Sequence, residues 1–220
     1  MDMKRRFSDS DLDRIKVAVK AAENQISGEI VPVIVEHSGR YLIANYKGSL
    51  IGSALSFLIM IVLDRYVIVD ATSTLFYDPV FIFLIVILGG VVGGVVPNFS
   101  EKVKRLLVSR SYMDNATRQR AENAFLEEEV FNTVQRTGIM IFISFFEHEV
   151  IVMADRGINK VVEQKQWDKI VSDIVVQIRA GKIIEGLEAG IKQCGLLLLE
   201  KGFNKSANDE NELRDDLRLN

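Results

Sequence analysis

Charged, periodic sequence flanks two long apolar runs in the middle of this chain. The run between Arg40 and Asp64 contains a single lysine, and no charged side chain lies between Asp78 and Glu101. A helix of about 20 apolar residues crosses the hydrocarbon core of a bilayer. The two runs therefore predict a hairpin of transmembrane helices, at about residues 42–63 and 79–98.

The segment before the hairpin predicts one helix and one strand. Apolar residues recur at intervals of three and four from Leu12 to Ile26, after a capping box formed by Ser8 and Asp11, and Gly28 is expected to end the helix. The next residues, EIVPVIVE, are apolar on both faces, which is typical of a strand covered on both sides. Pro32 has no amide hydrogen, so we expect it at a position where no ladder bond is required, for example at an edge of the sheet.

The segment after the hairpin predicts a helix, two strands and two further helices. Residues 101–113 form an amphipathic basic stretch that is compatible with a juxtamembrane stalk beside anionic headgroups or with an ordinary helix of the domain, and Asp114 or Asn115 is expected to cap the next helix. TGIMIFISFF and Glu149 to Ala154 predict an antiparallel strand hairpin. An apolar stripe that begins at the core residue Trp167 predicts a helix, and a last helix follows Gly181.

These elements predict an α/β fold, a small mixed sheet flanked by helices and interrupted by a transmembrane helical hairpin. The polar residues after Phe203 are expected to form a disordered tail. The predicted organisation is a first part of the α/β domain, the membrane hairpin, the juxtamembrane basic segment, the second part of the domain and the tail, at residues 1–38, 39–100, 101–113, 114–203 and 204–220.

Composition limits the classes of function. The chain has 220 residues, of which 48% are hydrophobic and 26% charged, with a net charge of −3. This balance indicates a membrane protein with a substantial soluble part, and the absence of a basic field argues against nucleic-acid binding. Cys194 is the only cysteine, so no disulfide forms within the chain, and we expect it to be a small apolar residue on a helix face.

The charges that flank the apolar runs predict the orientation of the hairpin. Basic residues precede the first run and follow the second, whereas the loop from Asp64 to Asp78 has one arginine and three aspartates. By the positive-inside tendency, the protein is expected to be a multi-pass protein of the cell (inner) membrane with both termini in the cytoplasm.

Small residues at four-residue spacing lie in both runs, including Gly48 with Gly52 and Gly89 with Gly93. Such faces allow close packing of helices in lipid. They are compatible with a tight hairpin within one chain or with a homodimer seam. No acidic, basic or histidine residue lies in the middle of either run, which disfavours a channel or transporter.

Both soluble segments resemble the TPM domain, a small α/β module of bacterial membrane proteins and thylakoid proteins linked to photosystem repair. The resemblance rests on AENQISGEIVPVIVE, on RTGIMIFISFFEHEVIVMADRGI and on RAGKIIEGLEAGIKQCG. It implies either a weak acid phosphatase with acidic, metal-binding residues or a non-enzymatic modulator of membrane complexes. The family's Asp-Asn-Gly before the second strand reads Arg136-Thr137-Gly138 here, and its Gly-aromatic-Gly after the third reads Asp155-Arg156-Gly157.

Candidate site residues follow from the predicted topology. If the first two strands are parallel, Glu29, Gly138 and Asp155 lie at one end of the sheet, and Glu29 with Asp155 offers hard oxygen ligands for calcium or magnesium. His37, Glu147 and His148 would lie at the opposite end. The two histidines could share a transition metal or act in acid–base chemistry, but neither belongs to a ligand-spaced motif, so we expect loop histidines.

Two functions remain open from the sequence. The first is a membrane-anchored, non-enzymatic interaction or regulatory module at the cytoplasmic face, with the lipid bilayer and a membrane protein as partners and a role in membrane-complex maintenance. The second is a weak, metal-dependent phosphomonoesterase. The sequence contains no nucleophile elbow, phosphate-binding glycine loop or Cys-His arrangement, so we name no catalytic residue.

Overall fold

The structure, a computed structural model, describes residues 6–66, 78–205 and 211–219. The chain forms two compact units, residues 1–38 with 114–220 and residues 39–113. In chain order the elements are α1 (Asp9–Glu23), β1 (Glu29–Val35), α2 (Ile43–Tyr66), α3 (Pro79–Phe99), α4 (Glu101–Leu107), α5 (Arg110–Glu127), β2 (Gly138–Ser144), β3 (Glu149–Ala154), α6 (Arg156–Asn159), α7 (Gln164–Arg179), α8 (Ile183–Glu200) and β4 (Arg218–Leu219).

The first unit is built on a four-stranded sheet with the order β3-β2-β1-β4. β1 runs parallel to β2 with Glu29 opposite Gly138, and β2 pairs with β3 as an antiparallel hairpin. The predicted mixed α/β sheet, its parallel first pair and its hairpin are therefore confirmed. β1 lies between β2 and β4 and is therefore not an edge strand, but among the described residues β4 pairs with Val33 and Ile34 and not with Pro32.

Alternate residues of the central strands fill two separate cores, which explains why these strands are apolar throughout. On one face, Ile30, Ile34 and Ile141 pack with the apolar stripes of α1, α7 and α8, and Trp167 is buried there as expected. On the other face, Val31, Val33, Val35, Met140 and Phe142 pack against Ala121 and Ala124 of α5.

Helix boundaries differ from the predictions at two places. The capping box is present, with the Ser8 hydroxyl accepting from the amide of Asp11, but α1 ends at Glu23, before Gly28. α5 begins at Arg110 rather than at a cap on Asp114 or Asn115. Local propensity sets such ends only weakly, because tertiary contacts outweigh it at each terminus.

The disordered tail predicted for residues 204–220 is corrected for residues 204, 205 and 211–219. Asn204 forms a bridge with Ile26, and β4 adds a parallel strand beside β1. Arg218 is buried, and its Nε donates to Glu128 Oε2 at 2.9 Å. The polar composition of this segment does not predict its docking, because backbone pairing and buried ion pairs do not require a periodic pattern of apolar residues.

The second unit contains α2 and α3, two helices that are long and apolar enough to cross a membrane. Asp78 caps α3 by accepting from the amide of Val80 at 2.8 Å. A Cβ added at Gly52 would lie 2.2 Å from the carbonyl oxygen of Gly89, and one at Gly48 would lie 2.3 Å from that of Gly93. The four glycines therefore form a seam within the hairpin, the first of the two arrangements considered above.

Candidate functional site

Glu29 and Asp155 lie at the same end of the sheet, as the topology argument predicted. Glu29 begins β1 opposite Gly138, and the Asp155 amide donates to the carbonyl oxygen of Gly138 at 2.8 Å. Both acids are buried, and β2 separates the strands that carry them. Their carboxylates are bound to different parts of the chain.

The Glu29 carboxylate binds backbone amides of the C-terminal segment. Its Oε1 accepts from the amide of Glu212 at 3.1 Å, and its Oε2 accepts from the amide of Leu213 at 3.4 Å. Peptide N–H groups satisfy a buried carboxylate without a cation. Glu29 therefore attaches residues 211–219 to the start of β1.

The Asp155 carboxylate is paired with Arg136. Asp155 Oδ2 lies 2.7 Å from Arg136 Nε in an ion pair whose angle is too poor for a hydrogen bond, and Oδ1 accepts from Nη2 at 3.3 Å. Oδ1 also accepts from the amide of Arg156 at 2.7 Å, so Asp155 caps α6. The guanidinium carbon of Arg136 lies 5.5 Å from the centre of the Phe131 ring.

Two glycines bring the loops at this end together. A Cβ at Gly138 would lie 1.9 Å from the carbonyl oxygen of Val130, and one at Gly157 would lie 2.4 Å from that of Arg136. A Cβ atom cannot lie so close to another heavy atom. Gly138 therefore allows the segment after α5 to pack against the start of β2, and Gly157 allows α6 to pack against the segment before β2.

A buried carboxyl that the sequence reasoning missed lies beside this end. Glu23 Oε1 accepts from the amide of Ile30 at 2.8 Å, while Oε2 has no hydrogen-bond partner of good geometry. Burial is the main cause that raises the pKa of Glu23 to about 9; the hydrogen bond from the Ile30 amide is the next largest influence and lowers the pKa, and the charges of Glu29 and Asp215 raise it by smaller amounts. Its position four residues after Val19, on the apolar stripe of α1, was the signal available in the sequence.

A small polar cavity opens at Glu23. Its lining combines acidic and basic side chains, and Lys205 Nζ donates to the Glu23 carbonyl oxygen at 3.0 Å. Asn211 donates to Asp215 Oδ1 at 2.6 Å. The cavity is lined by Lys20, Glu23, Asn24, Ile26, Glu29, Lys205 and Asn211. Amides and lysines thus surround the acids.

The opposite end of the sheet carries a buried network of two serines and a glutamate. Ser38 donates its amide to Glu147 Oε1 at 2.9 Å, its hydroxyl oxygen lies 2.8 Å from that of Ser144, and Ser144 donates to Glu147 Oε2. His37 stacks on Phe146 with ring centres 4.9 Å apart, and His148 lies in the turn before β3. No sequence motif predicts that these two serines bind the Glu147 carboxylate.

Glu29 and Asp155 both bind groups of this chain, and their role as ligands of calcium or magnesium stays a prediction. Among residues 6–66, 78–205 and 211–219, no three acidic, histidine or cysteine side chains are grouped as metal ligands. Calcium takes six to eight oxygen ligands. Here, backbone amides bind Glu29, and an arginine binds Asp155.

Comparisons with known proteins agree with the fold. A family model described as TPM domain matches residues 103–196. The chain is similar to the NMR structure of the BA42 protein from the psychrophilic bacterium Bizionia argentinensis sp. nov., with a TM-score of 0.59, 18% identity, and coverage of 97% of this chain and 95% of that chain. No curated protein matches the chain significantly. The chain is therefore similar to the TPM domain over residues 103–196, which include β2 and β3 of the mixed sheet.

Proposed function

We propose that this protein is a membrane-anchored TPM domain that acts as a non-enzymatic interaction or regulatory module at the cytoplasmic face of the membrane. The observation that carries the proposal is the apolar surface of α2 and α3. In their most apolar windows only 11% and 6% of the residues are buried. A core helix of a soluble domain would be mostly buried, so lipid is the partner that fits this surface.

Polar groups within the hairpin support this placement because they bond to one another. Ser53 Oγ donates to the carbonyl oxygen of Val86 at 3.2 Å, and Asn45 Nδ2 donates to Asn98 Oδ1 at 2.9 Å. A polar group left unpaired in hydrocarbon is costly, and internal pairing removes that cost.

The charge distribution supports cytoplasmic termini. Lys47, one turn inside α2, donates to the carbonyl oxygen of Leu107 at 2.9 Å, at the same end of the hairpin as the basic residues of α4. Cations close to one end of a membrane hairpin favour the cytoplasmic side. They also suit anionic headgroups.

Cysteine labelling tests the orientation. Buried Cys194 has its pKa raised to about 12 by burial, so its own thiol gives little background. Ser10→Cys on α1 should react only from the cytoplasmic side of sealed vesicles. Ser73→Cys, in the part of the loop outside the described residues, should react only from the other side. Labelling of Ser73→Cys from the cytoplasm alone would refute the orientation.

The non-enzymatic role is supported by the engagement of both predicted metal ligands with this chain. The competing role is the metal-dependent phosphatase, and hydrolysis of a generic phosphomonoester by purified protein distinguishes the two. We expect no turnover with calcium, magnesium, manganese or chelator. Turnover that is lost in both Glu29→Ala and Asp155→Ala would establish the phosphatase instead.

The proposed partner is a membrane protein that meets this domain beside the bilayer. Gentle crosslinking in native membranes followed by detergent extraction should recover a defined complex. Recovery of the chain by itself, under conditions that preserve a known complex of the same membrane, would contradict the role as a modulator. A dimer whose crosslinking depends on Gly48 and Gly52 would identify a second copy as the partner.

A further inference from the structure

Arg136 has a backbone conformation that long side chains rarely adopt. Its φ is +58°, in the left-handed region that favours glycine, asparagine and aspartate. Its amide donates to the carbonyl oxygen of Thr133, and its own carbonyl oxygen accepts from the amide of Gly157, both at 3.1 Å. An arginine in this conformation indicates that its side chain serves a purpose there.

The side chain supplies a positive charge to a buried carboxylate. Arg136 Nε lies 2.7 Å from Asp155 Oδ2, and the side chain of Asp155 is only 8% exposed. The Phe131 ring lies beneath the guanidinium and holds it over this end of the sheet. The Arg156 amide bonds to Oδ1, whereas Oδ2 accepts no hydrogen bond of good geometry, so the guanidinium is the group that offsets the charge on this oxygen.

We propose that the guanidinium of Arg136 is the resident cation of this end of the sheet and takes the place that a divalent metal would need beside Asp155. The positive charge is built into the chain, and the domain folds without calcium or magnesium. This inference concerns the first unit by itself and does not depend on the anchoring of the hairpin.

Substitutions at Arg136 test the proposal on the full chain in a non-ionic detergent. Arg136→Lys keeps a charge, Arg136→Asn removes it in a residue that suits positive φ, and Arg136→Asp adds a second carboxylate beside Asp155. The melting temperature of each variant and of the wild type is measured once with chelator and once with calcium. The calcium concentration is roughly 10 mM, because this exceeds the dissociation constants of weak calcium sites of the extracellular type. Calorimetric titration with calcium measures binding directly.

We expect the wild type and Arg136→Lys to melt at the same temperature with calcium and with chelator. Arg136→Asp should gain a calcium-dependent increase of about 3 °C or more, and Arg136→Asn a smaller one. Both increases should disappear when Asp155→Asn is added. The proposal would be overturned if calcium raised the melting temperature of the wild type and Asp155→Asn abolished this rise. So would the absence of any calcium response in both Arg136→Asn and Arg136→Asp.

Discussion

At the scale of single residues, the start of β1 is surrounded by buried carboxyl groups, two of which accept backbone amides of the chain itself. Glu29 accepts two amides of the C-terminal segment, and Glu23 accepts the amide of Ile30. Asp215 is buried and lies 3.7 Å from Lys20 Nζ. Of these acids, Glu23 has a raised pKa, and its contribution to stability therefore depends on pH.

Glu23→Gln is expected to weaken the pH dependence of stability. Burial first, then Glu29 and Asp215, raise the pKa of Glu23 from 4.5 to about 9 in the folded state. The folded protein therefore binds more protons than the unfolded chain between these values. The stabilisation is complete below about pH 4.5 and is lost progressively up to about pH 9, by at most ~1.4 kcal/mol per pH unit.

Urea unfolding from pH 5 to pH 9 measures this effect. Because the neutral amide has no proton to lose, the stability of Glu23→Gln relative to the wild type should increase with pH. The matched control is Glu200→Gln, at the exposed end of α8. The expectation would be contradicted if the free energy of unfolding changed with pH in the same way for the wild type and for Glu23→Gln.

Gly138→Ala is expected to destabilise the first unit by at least about 2 kcal/mol. The added Cβ would lie 1.9 Å from the carbonyl oxygen of Val130, and backbone atoms would have to move. The control is Gly181→Asn, where φ is +78° and the space is open, and we expect a change within about 0.5 kcal/mol. Equal urea midpoints for the two variants would refute the steric argument.

At the scale of elements, the glycine seam predicts that the pairing of α2 with α3 depends on the absence of side chains. Gly52→Leu should destabilise the hairpin by about 1–3 kcal/mol, because its Cβ would lie 2.2 Å from the carbonyl oxygen of Gly89. Ala54→Leu adds the same kind of side chain at an exposed position of α2. Circular-dichroism melting in detergent should show a lower midpoint for Gly52→Leu than for Ala54→Leu.

The C-terminal segment depends on one buried cation. Arg218→Ala removes the hydrogen bonds from Nε to Glu128 Oε2 at 2.9 Å and from Nη2 to the carbonyl oxygen of Arg214 at 2.8 Å. We expect a loss of about 1.5–3 kcal/mol and faster amide hydrogen exchange along β4. Arg118→Ala, whose side chain is 76% exposed, should change stability by less than about 0.5 kcal/mol. Unchanged exchange along β4 would show that other contacts hold the segment.

At the scale of the whole molecule, one folded domain is assembled from two stretches of chain that the apolar hairpin separates in sequence. α2 and α3 expose most of their apolar surface. We therefore expect the protein to remain with membranes after an alkaline carbonate wash and to require detergent for extraction. Release by carbonate would place the hairpin on the membrane surface or against another protein.

Sequence patterns were sufficient for the features that depend on neighbours along the chain. Helix and strand periods, the capping box of Ser8 and Asp11, and the apolar runs all follow from residues that lie close together in sequence. The common end of Glu29 and Asp155 also followed, because a right-handed crossover makes two consecutive strands parallel. The burial of Glu23 was also predictable from the sequence, because this charged residue lies on the apolar stripe of α1.

The sequence by itself determined the mixed sheet, the two apolar helices and the end of the sheet at which the candidate acids lie, because local periodicity and chain direction encode them. Only the tertiary structure decided what those acids bind. Asp155 pairs with Arg136, and Glu29 binds amides of the C-terminal segment. No fixed spacing in the sequence predicts these pairs, and some of the partners lie far apart in the chain. Their pairing depends on the burial and the geometry that tertiary packing creates.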